Sequence, residues 1–398
     1  MIWDQNEAEY FCKQDWTGQI SLMRREKLDF RRSDRMASQS PKLLVSRQTQ
    51  ADGTDPMPFP VTEHVLKTKR HTTAYLACGA PDGPLIIFLH GWPELAISWL
   101  HQLPVFAELG FFCVAPDMRG YGRSSVYDRH ADYAFEHSVR DMFELQDSLG
   151  QEKAVWVGHD SGSLLVWAIA SHHPDRCRGV VSLCIPYLHN GFVPDNLIPL
   201  VDRAIYPEDT CPAGQWDYQL FYEENFLTAH ATFEADTAGT IKAIFRSGNA
   251  ALRGKPSRTS RIRRDGGWFG GGKVPDVERD AAVLTEADLC AYTAALERNG
   301  WFGPCSWDMN HKRNAAYAAT ALNQGRLSMP VLFLDGANDL TCMTTGGSRL
   351  AEPMRQYCDD LTEVTVESGH SMAQECPVRV NSALAKWLAT KLTNVWPA

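Results

Sequence analysis

Five short apolar runs constrain this chain more than anything else in it: LIIFLHG, FFCVAPDMRG, VWVGHD, VVSLCIP and VLFLDG. Each is apolar continuously, without the in-out alternation of a half-solvated strand, as expected where both faces of a strand are covered. Helix-like segments lie among them, in WLHQLPVFAEL, EHSVRDMFELQDSLG and LLVWAIASHH. Buried strands alternating with helices predict βαβ units, and so an α/β class with a mostly parallel sheet flanked by helices. An open sheet fits better than a closed barrel, because one long stretch interrupts the alternation. Upstream, VTEHVLKTKRHTTAYLACG reads as two further strands and GAPDG as the turn after them.

The interruption is rich in aromatic and turn residues, including DGGWFGGGK, and the strand-helix rhythm returns at MPVLFLDG. It reads as a mainly helical cap inserted between two strands of the sheet. The expected organisation is an N-terminal arm over 1–60, the first part of an α/β core over 61–186, a cap over 187–327 and the rest of the core over 328–398. The arm is polar and of mixed charge, contains the run RREKLDFRRSDR, and is assigned no chemistry.

A hydrophobic share of 44% and a charged share of 22% suit a soluble globular protein. A formal charge of −9 argues against nucleic acid or an anionic membrane as the main partner. No apolar run approaches the roughly 18 residues of a spanning helix, and the opening MIWDQNEAEY is acidic where a signal peptide is basic. The eleven cysteines form no C-x-x-C pair, and Cys113 and Cys184 lie in apolar runs. They read as buried thiols of a reducing compartment, so a cytoplasmic location is expected. No metal cluster or cofactor motif is visible, and neither a metal nor a cofactor is expected.

Candidate chemistry sits at strand ends, where open parallel sheets bind ligands. In VGHDSGS two neighbours, Asp160 and Ser161, are possible nucleophiles. A nucleophile on a tight strand-to-helix turn needs small residues two before and two after it. Around Asp160 these are Gly158 and Gly162; around Ser161 they are His159 and Ser163, and histidine does not fit. The spacing selects Asp160. In IIFLHGWPE, the segment His90, Gly91, Trp92, Pro93 suits a loop that turns back after a strand, with backbone N–H groups free to form an oxyanion hole. Asp339 in FLDGANDLTC and His370 in VTVESGHSMAQ follow downstream, the order acid then histidine expected of a hydrolase of this type.

Together these landmarks resemble the soluble epoxide hydrolase family of α/β-hydrolases. HGWPELAISWLHQLP, APDMRGYGRSS, GHDSGS and ESGHSMAQ match its segments in order, and WDYQLFYEE, IKAIFRSGNA and LERNGWFGPCSWDMN match its cap. The resemblance runs from about residue 60 to 390. It implies that Asp160 opens an epoxide to an alkyl-enzyme ester, and that His370, oriented by Asp339, activates water to hydrolyse it to a vicinal diol. The backbone N–H groups of Trp92 and Ser161 are implied as oxyanion donors, Ser161 through its backbone and not its hydroxyl. Trp307 and the His90–Pro93 segment are implied to border the substrate. The family presents two cap tyrosines to the epoxide oxygen. Tyr218 matches one; the other position falls in Ser306-Trp307-Asp308 and is occupied by Asp308.

An ionised Asp308 would repel the nucleophile, whereas a neutral one would donate a proton. It is expected to be that acid or a specificity residue for a polar substrate. The alternative is that Asp308 points to solvent and Tyr218 works alone or with Tyr187 or Tyr292. The expected partner is a small, partly apolar epoxide, given cap aromatics such as Trp216, Tyr222, Trp268 and Trp301. A haloalkane or haloacid dehalogenase with the same Asp-His-Asp groups, a cyclising relative and a ligand-binding relative are the competing readings.

Overall fold

Strand β3 (Leu85–Leu89) has no exposed residue, and neither does β4 (Phe112–Pro116) or β5 (Ala154–His159). Their side chains leave on alternate faces. Ile87, Leu89, Val114 and Trp156 enter one apolar cluster, while Ile86, Phe88, Cys113 and Val157 enter another. Continuous apolar sequence is thus what a strand with a core on each side requires. Removing each of these side chains from water contributes roughly 1.5–3 kcal/mol. This computed structural model describes residues 59–397, so residues 1–58 of the expected arm lie outside the described part of the chain.

Eight strands form one sheet. The others are β1 (Thr62–Lys67), β2 (Thr72–Cys78), β6 (Cys177–Leu183), β7 (Leu327–Gly336) and β8 (Cys358–Val366), and the spatial order is β1-β2-β4-β3-β5-β6-β7-β8. β1 and β2 pair antiparallel, as does β2 with β4; the remaining neighbours are parallel. β1 alternates between half-buried and exposed residues, as an edge strand open to water does. The sheet is mostly parallel and open, as the apolar runs predict.

The expected helix in WLHQLPVFAEL is shorter than its apolar pattern suggests. A helical turn at Ala96–Trp99 stops, and α1 (Leu103–Glu108) begins one residue before Pro104. Proline lacks the N–H that would continue an upstream helix but is tolerated in a first turn. The other two expected helices form as α2 (Phe135–Ser148) and α3 (Ser161–His172).

Residues 184–326, between β6 and β7, hold helices and turns but no strand. Their longest helices are α4 (Asp217–Glu234), α5 (Thr237–Ile244) and α6 (Glu286–Asn299). They meet the sheet through aromatic rings: Trp92, just beyond β3, stacks on Trp268 at 5.7 Å and packs against Phe233 at 5.5 Å and Trp301 at 6.0 Å. Among the described residues no helix is long and apolar enough to cross a membrane.

One buried ion pair fixes the loop after β4. Arg119 forks onto Asp141 of α2 at 2.7 and 2.9 Å, and Arg70 reaches the same carboxylate from the surface at 2.6 Å. Removing one partner of a buried pair leaves the other charge unsolvated. Asp141→Ala should therefore lower unfolding free energy by about 3–5 kcal/mol in urea titrations, against about 1 kcal/mol or less for the half-exposed Arg70→Ala.

Candidate active site

The turn after β5 carries Asp160 at φ 50°, ψ −123°, a conformation that side-chain-bearing residues rarely adopt. Small neighbours make it possible. A Cβ on Gly162 would lie 2.1 Å from the Leu89 carbonyl oxygen, and one on Gly158 would lie 2.5 Å from the carbonyl oxygen of Gly162. A Cβ on Gly91 would lie 2.4 Å from the Asp160 Cβ itself. The spacing argument that selected Asp160 over Ser161 therefore has a steric cause.

Three strand ends converge on this carboxylate. Past β3, the Trp92 N–H donates to Asp160 Oδ1 at 2.8 Å. Past β8, His370 sets Nε2 3.3 Å from Asp160 Oδ2. Its Nδ1 lies 2.7 Å from Asp339 Oδ2, past β7. Asp339 is 3% exposed, and its other oxygen accepts from the Thr341 and Cys342 N–H groups. The Ser161 hydroxyl donates to Asp160 Oδ1 at 3.0 Å, so its side chain, expected to be idle, holds the carboxylate.

The charges reinforce one another. Burial alone would raise the pKa of Asp160, but the hydrogen bond and charge of His370 outweigh it and hold the carboxyl well below its usual range. Burial would likewise lower His370, yet the Asp339 charge and the bond to Asp160 push it well above an ordinary histidine. Asp339 is itself held low against burial by His370.

Behind this row lies a pair to which the sequence reading gave no role, although both members sit in the quoted HGWPE and GHD segments. Glu94 and His159 are both 2% exposed and meet at 3.0 Å. His159 Nε2 reaches the His370 carbonyl oxygen at 2.8 Å, and Glu94 accepts from the Gly91 N–H at 2.8 Å. With an acceptor at each ring nitrogen, His159 is a double donor, and Glu94 raises its pKa well above the ordinary value despite burial.

A cavity of about 270 Å³ opens in front of Asp160 and His370. Trp92, Leu164 and Ile185 form its sheet side; Tyr218, Tyr222, Trp268 and Asp308 come from the insert. Burial first, then the nearby Asp160 charge and Glu223, push Asp308 up to about 8. Two carboxyl groups thus share one pocket with their titrations driven far apart.

The alpha/beta hydrolase fold family matches residues 84–373 of the sequence. Epoxide hydrolase A of Mycobacterium tuberculosis is 32% identical over 329 residues, covering 82% of this chain and 97% of that protein. The chain belongs to the epoxide hydrolase family of α/β-hydrolases. It is also 31% identical over 314 residues to bifunctional epoxide hydrolase 2 of Sus scrofa, of which it spans about half, 53%. In three dimensions it matches the crystal structure of epoxide hydrolase A from Mycobacterium thermoresistibile with a TM-score of 0.69 at 29% identity, over 83% of this chain and 99% of that one.

Within this epoxide hydrolase fold several expected site residues fall elsewhere. Trp307 does not line the cavity: its indole N–H donates to the Arg119 carbonyl at 3.3 Å, and its ring packs beside Tyr121 and Phe135. His90 is a buried, neutral strut, accepting the Met118 N–H at Nε2 while Nδ1 meets the Gly91 carbonyl. Gly91 serves by lacking a side chain, and Pro93 follows a cis bond. Neither alternative tyrosine reaches the cavity. Tyr187 donates to the Gly325 carbonyl, and Tyr292 bonds Ser98. The second hydroxyl in the pocket belongs instead to Tyr222, one helical turn beyond Tyr218 on α4, whose buried oxygen has no partner among the described residues. The i,i+4 spacing in DYQLFY was the available signal.

The raised Asp308 has a thermodynamic signature. Its neutral form is favoured by folding, so the associated stability is present below an unfolded pKa of about 4. It is lost as pH rises through about 8. Asp308→Asn should flatten the stability-against-pH curve across that window. Parallel curves for the two proteins would show that Asp308 titrates normally.

Proposed function

We propose that this protein opens epoxides to vicinal diols through a covalent ester on Asp160, with residues 187–327 acting as the cap over the site. The observation that carries the reading is the bridge His370 makes between Asp160 and Asp339 in a cavity that also holds a neutral Asp308. An aspartate suits the task, because attack on an sp3 carbon leaves an ester that water can cleave, whereas a serine would leave an inert ether.

Asp160 Oδ1 is occupied by the Trp92 N–H and the Ser161 hydroxyl, so Oδ2 attacks the epoxide carbon. The C–O bond of the ring breaks and its electron pair goes to oxygen. Asp308 gives that oxygen its proton, with Tyr218 and Tyr222 as hydroxyl donors beside it. Esterification removes the negative charge of Asp160, one of the two that hold His370 protonated, so the imidazolium releases its proton, which restores the Asp308 carboxyl, and the neutral imidazole becomes a competent base. It takes a proton from water, which attacks the ester carbonyl. The oxyanion then forms on Oδ1, where the Trp92 N–H already points. Collapse of that intermediate breaks the ester C–O bond; the leaving alkoxide takes the proton held by His370 to complete the diol, and the Asp160 carboxyl passes its own proton back to the imidazole, restoring the starting state. The substrate is a small, partly apolar molecule, consistent with a cavity walled by Ile185, Ile262 and Trp268. Buried, unbridged Cys113 and Cys184 support a reducing, cytoplasmic setting.

A dehalogenase reading has one observation in its favour. The indole N–H groups of Trp92 and Trp268 are buried at the cavity wall without partners among the described residues and are suited to a departing halide. Halide release from haloalkanes, with no diol from epoxides, would select it.

His370→Gln incubated with a panel of epoxides should accumulate one covalent equivalent on Asp160, visible by intact mass and peptide mapping. Absence of an adduct across the panel would overturn the reading. In single-turnover alkylation, the wild-type rate should fall as pH rises through about 8, where Asp308 loses its proton. Asp308→Asn should remove that limb and slow alkylation by roughly tenfold to a hundredfold, the low end of a general acid's contribution, because two tyrosines remain.

A further inference from the structure

The lining of the cavity includes a basic side chain that the ring-opening chemistry leaves unused. Among the described residues lining it, Arg258 is the one arginine or lysine. Its side chain is exposed while Asp160 and Asp308 are half-buried, so it stands at the solvent rim and they stand within. Arg258 forms no ion pair among the described residues; its guanidinium makes one long contact, 3.4 Å to the Trp268 carbonyl. Nearby arginines are committed: Arg263 to Asp217 and Glu224, Arg253 to Glu367, and Arg264 to Asp265.

The setting is unusual for this chain. In a protein of net charge −9, RGKPSRTSRIRR carries six cations and no acid. The turn that presents Arg258 is fixed, because the Ser257 N–H donates to the Tyr206 hydroxyl and the Ser260 hydroxyl donates to the Ser257 carbonyl. The same cavity that holds the Asp160 carboxylate and Arg258 is lined by the apolar side chains of Ala243, Ile244, Ile262 and Phe269.

Resting on the epoxide-opening reading, we propose that Arg258 is a specificity-determining residue that receives a carboxylate carried by the substrate at a distance from its epoxide ring. An anionic group is repelled from the inner end by Asp160 and disfavoured along the apolar wall. At the rim it meets a planar fork of free N–H donors matched to a carboxylate. Such a substrate enters with its epoxide toward Asp160 and in one orientation.

The test compares a medium-chain ω-epoxyalkanoic acid with its methyl ester. Wild-type protein should show a KM for the acid roughly three- to tenfold below that for the ester, the range of a forked but solvent-exposed charge pair. That advantage should shrink with added salt. Arg258→Gln should abolish it with kcat unchanged, Arg258→Lys should retain part of it, and Arg258→Glu should reverse it. Equal changes for acid and ester in Arg258→Gln, or none, overturn the proposal, as does an Arg258-dependent binding to anionic phosphatidylglycerol vesicles without any acid preference. A parallel titration with the saturated alkanoate, followed by the fluorescence of Trp92 and Trp268, needs no turnover. Tighter alkanoate binding in wild type than in Arg258→Gln upholds the proposal even if no epoxide is opened. Equal binding sinks it even if epoxides are opened.

Discussion

Everything at the site depends on how closely the backbone packs around Asp160. Gly91, Gly158 and Gly162 allow two strand ends and a helix start to meet at distances that leave no room for a Cβ. That crowding holds Asp160 at φ 50° and aims its carboxylate outward from the sheet. It also places the Trp92 N–H 2.8 Å from Oδ1. Strained residues of this kind cost about 1–3 kcal/mol and persist only where their surroundings over-determine them. Here the surroundings are strands buried on both faces, which cannot yield.

On this rigid base, electrostatics separates groups that chemistry would otherwise make alike. Asp160, Asp308 and Asp339 are all aspartates within one region, yet His370 keeps two of them ionised and burial keeps the third neutral. The Glu94–His159 pair extends the same pattern behind the imidazole, where it grips the His370 carbonyl and the Gly91 N–H together. At the cap position where the resemblance implies a tyrosine, Asp308 is pushed toward its neutral form by burial and by the Asp160 charge it faces.

The sequence made the sheet legible because full burial leaves an unbroken apolar run, and it made Asp160, Asp339 and His370 legible through spacing and order. Side-chain direction was less readable. Trp307 lies next to Asp308 in sequence, but successive residues of a helical turn point about 100° apart, and one faces the cavity while the other faces the core. Tyr222 was counted among ordinary cap aromatics, because nothing in a lone sequence distinguishes a hydroxyl with a partner from one without. The roles of Glu94 and His159 depend on a meeting of residues 65 positions apart, which neither segment signals alone. The break in WLHQLPVFAEL was readable at Pro104, and the apolar pattern masked it.

The insert has a consequence for how the protein comes into being. Asp160 precedes residues 184–326 in the chain, and Asp339 and His370 follow them. A ribosome therefore releases the carboxylate long before it releases the imidazole and the acid behind it. Until β7 and β8 have emerged and docked beside β6, the emerging chain has neither His370 nor Asp339 beside Asp160. The strands that complete the sheet therefore also complete the row of Asp160, His370 and Asp339.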